Sequence, residues 1–398
     1  MSLAVEPLPA DEFGTSAARD VILVLGYTSW SGAIRRGLVM PEDRLAVWLT
    51  SSPRVGRVLI CNPYRSRAAK LVRAVTGPRD EPFPTTETCR LHEPLRLRRQ
   101  DPAGVGAMER ACAAYERGIR RAAEQFGMER PAIISAHPPM AGFGRFDWAG
   151  PVTYYTSDDQ TACPPMRRWW PVYEVAHARM RELGRGAVGL TPKALASVDP
   201  SGPSAVIPCG LDPDEWFTPG EAPSWFTELP GPRLLYVGSL DPRVEVEMVR
   251  ATAEAYPHGS VVLMGRCPNP EHYDPIRELP NVTIAPPVDR EQLTAIVAAA
   301  DVGLIPHVRT EQTEAMSPLK LFEYFAAGLP VATIDLPGTA SVSPSRTALA
   351  QGTHDFVDAV RRAVAIGRCT EAERLDFIHA NAWERRFERL LDVALEPN

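Results

Sequence analysis

An α/β protein built on parallel sheets is what this 398-residue chain predicts. Three observations carry that expectation. Short runs of β-branched and aliphatic residues alternate with segments of helical length and spacing along most of the chain. The strand-like runs are mostly continuous apolar stretches, the pattern of strands covered on both faces. The alternation breaks once, in a stretch rich in Pro, Gly and acidic residues, and then restarts, which predicts two domains.

Residues 21–25 read as a buried strand ending at Gly26, and 41–50 as a helix. A strand at 57–61 (RVLIC) precedes a basic helical segment at 64–75. Residues 106–126 have the spacing and length of a helix. Strands follow at 132–135 and 152–156, a helix at 167–183, and short strands at 187–190 and 205–207. This places a first domain at 1–210. The segment LDPDEWFTPGEAPSWFTELPGP breaks the pattern, so 211–232 is expected to be a linker. A second domain, 233–380, has strands at 234–237, 261–264, 282–284, 302–305 and 331–334. Its helices are expected at 244–255, 290–299 and 318–327. Residues 381–398 form an amphipathic terminal helix.

Hydrophobic residues make up 44% of the chain, enough for two cores. No apolar run approaches the ~20 residues of a membrane span. The opening MSLAVEPLPADEF lacks the regions of a signal peptide. Seven cysteines without a C-x-x-C pair suggest neither a disulfide framework nor a zinc site. A reducing cytoplasm is therefore the expected setting. Charge is uneven: residues 1–210 carry 27 Lys and Arg against 21 Asp and Glu, whereas 211–398 carry 16 against 28. A basic first half suits an anionic acceptor or membrane surface, and an uneven solvated surface explains it equally well. Arg167-Arg168-Trp169-Trp170 and the segment 65–73 fit peripheral membrane contact or an ordinary helix surface. An acidic chain with no nucleic-acid motif is not expected to bind nucleic acid. Gly26-Tyr27-Thr28-Ser29-Trp30 is not a G-x-G-x-x-G dinucleotide fingerprint.

The most informative segment is MSPLKLFEYFAAGLP, residues 316–330. Ser317 suits an N-cap and Pro318 the first helical position. Gly328 suits the left-handed residue after the helix, and Pro330 prevents continuation. Lys320, one of only three lysines, opposes the positive end of the helix dipole unless an anion sits there. Glu323 lies one turn on, on the same face. A phosphate-seeking Lys beside a hydroxyl-seeking Glu makes a nucleotide-sugar grip; a capped surface helix with an ion pair from Lys320 to Glu323 is the alternative.

This Ser-Pro-x-Lys-x-x-Glu-Tyr segment, followed by Ala-x-Gly-x-Pro, resembles the donor signature of GT-B glycosyltransferases, especially bacterial enzymes of capsule and teichuronic-acid-like surface polysaccharides. The resemblance implies two Rossmann-like domains facing across a cleft, with a terminal helix crossing back to the first. It implies that Glu323 holds the ribose hydroxyls. Ser317, Pro318, the amide of Leu319 and Lys320 would face the diphosphate. Many relatives carry a further Glu eight residues earlier; here that position is Ala315.

Other candidates follow strands. Tyr236-Val237-Gly238-Ser239-Leu240-Asp241-Pro242-Arg243 ends the first strand of the second domain, where ligands of open α/β sheets bind. Gly238 and Ser239 allow close backbone approach, and Arg243 is placed to reach phosphate. Gly265 and Arg266 follow the next strand and, by resemblance, border the nucleobase; Val288 offers backbone to its edge. In the first domain, His137, Asp158 and Asp159 follow strands and are candidates for a general base. Asp158-Asp159-Gln160 is not an Asp-x-Asp metal motif, and no other ligand cluster stands out, so no metal and no cofactor beyond the co-substrate are expected. The reading is a cytoplasmic transferase, with peripheral contact at the inner face of the membrane as a further expectation, moving a sugar from a nucleoside-diphosphate sugar to a surface-glycan or lipid-linked hydroxyl acceptor. A natural-product glycosyltransferase, a nucleotide-sugar epimerase and a silent sugar-nucleotide-binding protein are the alternatives.

Overall fold

The computed structural model describes residues 18–66, 82–97, 100–340 and 342–396. Contacts divide the chain into two units. One holds the described residues through Pro208 and those from Arg386 onward; the other is Cys209–Arg385.

The first unit contains a seven-stranded parallel sheet: β1 (Arg19–Val24), β2 (Val55–Cys61), β3 (Cys89–His92), β4 (Ala132–Ser135), β5 (Val152–Thr156), β6 (Gly186–Gly189) and β7 (Ser204–Val206). The strands lie in the order β3-β2-β1-β4-β5-β6-β7. Residues Val21–Val24 are fully buried, which explains their unbroken apolar run. The order reverses between β1 and β4, a switch point where adjoining loops diverge and leave a crevice. That places the loop after β1, with Tyr27, and the loop after β4, with His137, side by side.

The second unit repeats the plan with six parallel strands: β8 (Arg233–Val237), β9 (Ser260–Met264), β10 (Val282–Ala285), β11 (Val302–Ile305), β12 (Val331–Ile334) and β13 (Thr347–Ala350). Their order is β10-β9-β8-β11-β12-β13. Here the switch lies between β8 and β11. Leu234, Tyr236, Val261, Leu263, Val302 and Leu304 form the central part of its core. Each fully buried aliphatic or aromatic side chain adds about 1.5–3 kcal/mol.

Several expectations need correction. The edge strands β3 and β13 were not anticipated; CRLH and TALA are short, and CRLH is half polar. The helices Thr353–Ile366 and Glu371–Ala380 were not anticipated either. The second has a readable start, because Thr370 and Glu373 form a reciprocal capping box (Glu373 N to Thr370 Oγ1, 3.3 Å; Thr370 N to Glu373 Oε2, 2.9 Å). The supposed linker contains the helices Pro213–Phe217 and Ser224–Thr227, whose Trp216 and Phe226 are fully exposed nowhere: both are 0% accessible. Burial of two large aromatics makes this stretch part of the second unit's packing. Arg65–Ser66 pairs with Leu95–Arg96 as a short parallel ribbon where a helix was expected to begin. The remainder of segment 65–73 lies outside the described residues. A 3-10 turn, Pro164–Trp169, precedes the helix Trp170–Glu182, so the expected 167–183 helix starts later. The final helix is Trp383–Leu395. Its Phe387 packs against Trp48 and its Glu388 meets Arg54 at 2.8 Å, both in the first unit.

Candidate functional site in the second unit

Two glycines shape the carboxyl ends of β8 and β9. Gly238 has φ +138° and Gly265 φ +152°. A Cβ on Gly265 would lie 1.8 Å from the carbonyl oxygen of Gly238, and one on Gly238 would lie 3.0 Å from Lys320 Nζ. Both positions therefore require glycine, on grounds of conformation and of space. The room beside Gly238 is filled by the lysine. Lys320 Nζ lies 3.1 Å from Tyr236 Oη, 3.3 Å from His307 Nε2 and 4.3 Å from the Tyr236 ring centre. Tyr236 spends its own proton on the carbonyl of Ser239 (3.0 Å), so its hydroxyl oxygen accepts from the lysine. His307 is buried. Burial, Lys320 and Arg243 together push its pKa well below the usual value, so the ring is neutral. Its Nε2 accepts from the ammonium while its Nδ1 has no hydrogen-bond partner among the described residues. Burial and, next, Arg243 push the Lys320 pKa down to about 7.

Arg243 does not extend freely toward a ligand. Its Nε and Nη2 meet the two oxygens of Asp241 at 2.9 and 2.6 Å, and its Nη1 lies 3.5 Å from Met316 Sδ. Burial raises the Asp241 pKa, but the hydrogen bonds and charge of Arg243 outweigh it and the carboxyl stays below its usual value.

The helix that carries the motif is Leu319–Ala326, with Pro318 at the N-cap. This corrects the expected cap: the Ser317 hydroxyl accepts instead from the amide of Cys209 at 3.3 Å, tying down the chain that enters the unit. Leu319 is the first helical residue, and the C-terminal signal holds, with Gly328 at φ +77°. Lys320 and Glu323 make no ion pair with each other. The Glu323 carboxylate, 4% exposed, is paired through Oε1 with Arg290 Nη1. Arg290 also meets Glu215 (Nη2 to Oε2, 2.6 Å) and lies over the Trp216 ring at 5.5 Å. Nothing in the sequence marked Arg290 or Glu215. His307 had a positional signal, since it follows β11 at a carboxyl end. Arg266 is exposed and Val288 half-buried in the loops after β9 and β10. The amide of Leu240 donates to the Arg266 carbonyl at 2.7 Å, joining the loops after β8 and β9. Thus Gly238, Ser239, Gly265, Lys320 and Glu323 gather at the carboxyl end of this sheet, with Tyr236 and His307 beneath the lysine.

In the first unit, the loops after β1 and β4 border a cavity of about 190 Å³, lined by Tyr27, Tyr64, Arg96, Tyr115, His137 and Trp169 among others. The Tyr27 and His137 rings meet edge-on at 5.9 Å. His137 Nδ1 accepts the amide of Met140 (3.3 Å), capping the helix Pro138–Phe143. Burial pushes its pKa down, so the ring is neutral and Nε2 carries the proton. In that tautomer Nε2 is the donor, while Nδ1 is engaged by the Met140 amide. Asp159 Oδ1 accepts from the Thr161 amide (2.9 Å) and hydroxyl (2.5 Å), a turn-closing role. The Asp158 carbonyl accepts from Thr156 Oγ1 at 2.6 Å. A carboxyl missed by the sequence reading is Glu42, whose pKa burial raises to about 7, with Asp43 and Asp158 adding to the shift.

Comparison with known proteins shows what this chain is similar to. Residues 231–365, within the second unit, match the family described as Glycosyl transferases group 1. A Bacillus subtilis protein named for teichuronic acid biosynthesis as a glycosyltransferase, TuaH, is 28% identical over 136 residues, 32% of this chain. The match spans about a third (34%) of that relative's length. The fold is GT-B, two Rossmann-like parallel-sheet units, as in three solved structures. Sucrose-phosphate synthase of Thermosynechococcus elongatus has a TM-score of 0.66 at 17% identity over 94% of this chain and 98% of its own. Trehalose-6-phosphate synthase OtsA has 0.68 at 14%, over 95% and 100%. Anabaena HepE in complex with UDP has 0.63 at 12%, over 94% and 98%.

Proposed function

We propose that the protein transfers a sugar, of the hexose class, from a nucleoside-diphosphate sugar to a hydroxyl acceptor. The observation that carries this reading is the convergence of Lys320, Glu323, Gly238 and Gly265 at the carboxyl end of a sheet within a group 1 glycosyltransferase domain. Glu323 takes the ribose hydroxyls through Oε2. Lys320 and the amides at the start of its helix take the diphosphate, whose charge grows as the glycosidic bond to it breaks. Arg243 supports the same charge from its place on Asp241. Gly265, Arg266 and Val288 border the base.

These cations supply leaving-group stabilisation from the protein itself. The transfer is proposed to proceed without a metal ion. The acceptor occupies the first unit, where the aromatic cavity beside His137 offers ring faces and one N–H donor. A surface-glycan or lipid-linked acceptor is favoured by the resemblance to TuaH.

Calorimetry with UDP-, GDP- and ADP-sugars tests the donor assignment. Glu323→Ala is expected to weaken the best donor by about ten- to a hundredfold, since hydrogen bonds to a charged group contribute about 1.5–3 kcal/mol. Full affinity in both Glu323→Ala and Lys320→Ala would remove the assignment. Turnover of donor with no acceptor present would identify an epimerase instead.

A further inference from the structure

The Glu323 carboxylate is nearly enclosed, and a charge in such a place calls for a counter-charge beside it. Its counter-charge comes from Arg290, the first residue of the helix Arg290–Ala299, whose N-cap Asp289 accepts the amide of Gln292 at 2.9 Å. The guanidinium is itself held on two other sides. Glu215 takes Nη2 at 2.6 Å and Nε at 2.7 Å, and the fully buried Trp216 ring lies at 5.5 Å. Nη1 alone turns to Glu323, and it meets Oε1. Oε2 has no hydrogen-bond partner among the described residues.

We infer that Arg290, anchored by Glu215 and Trp216, is a positioning residue that fixes Glu323 by one oxygen and aims the other at the nucleotide ribose. This rests on the reading of Glu323 as the ribose-binding carboxylate. The planar fork of arginine is what lets one cation serve two carboxylates in fixed directions; a lysine ammonium offers no such geometry. The segment 213–217, which reads in sequence as linker, thereby becomes part of the donor grip.

The test compares a ribonucleoside diphosphate with its 2′-deoxy counterpart, UDP with dUDP or the equivalent pair for the base that binds best. The wild-type protein is expected to prefer the ribo form by about ten- to a hundredfold, from a hydrogen bond to a charged acceptor. In Arg290→Met and Arg290→Lys that preference is expected to fall to within about threefold of unity, mainly through loss of ribonucleotide affinity. Glu215→Gln, which leaves Arg290 in place but loosens its anchor, is expected to give an intermediate ratio.

A purely structural role would weaken both nucleotides together and leave the ratio unchanged, which overturns the inference. So would tighter ribonucleotide binding in Arg290→Met, because it would show Arg290 competing with the ribose. Glu323→Ala separates the two levels. If its ratio collapses while those of the Arg290 and Glu215 variants do not, only the positioning role fails. If Glu323→Ala itself keeps the wild-type ratio, the ribose assignment fails and takes the positioning role with it. Should Arg290→Met not fold, Arg290→Lys and Glu215→Gln carry the same comparison.

Discussion

Lys320 shows how one residue's chemistry is set by its surroundings. Alone in the sequence it is a cation at a helix start. In the fold it sits against a tyrosine face, a neutral histidine and a second cation, with its pKa lowered to about 7. Its unfolded value is about 10.4. Between these two pH values the unfolded chain binds more protons, so stability rises with pH across that window. Below about pH 7 the full cost of a buried ammonium is present. Lys320→Met is therefore expected to stabilise the apo protein more at pH 6 than at pH 9, as urea titrations at the two values will show. If Lys320 holds the donor diphosphate as proposed, donor binding reverses the balance, because a diphosphate favours the charged lysine. Calorimetry in buffers of different ionisation enthalpy is expected to show net proton uptake on binding at pH 8, absent in Lys320→Met. No buffer dependence in the wild type would exclude the lysine as the diphosphate partner.

At the scale of elements, the strand ends and the motif helix are locked together by groups that admit little change. Tyr324, on the helix, accepts the amide of Val237 at 2.9 Å and donates to the Leu235 carbonyl at 3.1 Å, stitching the helix to β8. Tyr324→Phe removes the acceptor from a buried amide and is expected to cost about 1–3 kcal/mol in urea unfolding. Gly265→Ala places a methyl against the Gly238 carbonyl at a φ that suits only glycine. A loss of about 3 kcal/mol or more is expected, together with weakened donor binding, since the displaced carbonyl belongs to the loop beside Lys320. An unchanged midpoint would mean that the loop after β8 is softer than its contacts indicate.

At the scale of the molecule, the two units repeat one plan, and candidate residues border the switch point of each: His137 in the first unit, Gly238 in the second. Trp216 is the largest fully buried side chain in the second unit. Trp216→Ala is expected to cost about 3–5 kcal/mol and to lower donor affinity as well, because Arg290 loses the surface it rests on. Wild-type donor affinity in that variant would separate the packing of this segment from the site. The uneven charge of the two halves has its own consequence. If the acceptor is lipid-linked, the protein is expected to co-sediment with anionic vesicles at low salt and to be released at about 1 M, where screening shortens to about 3 Å.

The alternation of strand and helix, the continuous apolar runs and the break near residue 210 made the α/β, two-unit plan legible without coordinates. Helix-end chemistry and the Lys-to-Glu spacing likewise exposed the motif. These are short-range properties, fixed by periodicity and by which residues tolerate a helix end. Tertiary structure alone decided the partners. Ser317 looked like a cap and instead receives the amide of Cys209; Glu323 seemed to face Lys320 and instead meets Arg290; a supposed linker supplies Trp216 and Glu215. Each such pairing joins residues far apart in sequence, brought together by strand order and by the burial of apolar faces. Charge and hydrogen-bonding capacity can be read residue by residue, but the group that satisfies them is chosen by packing.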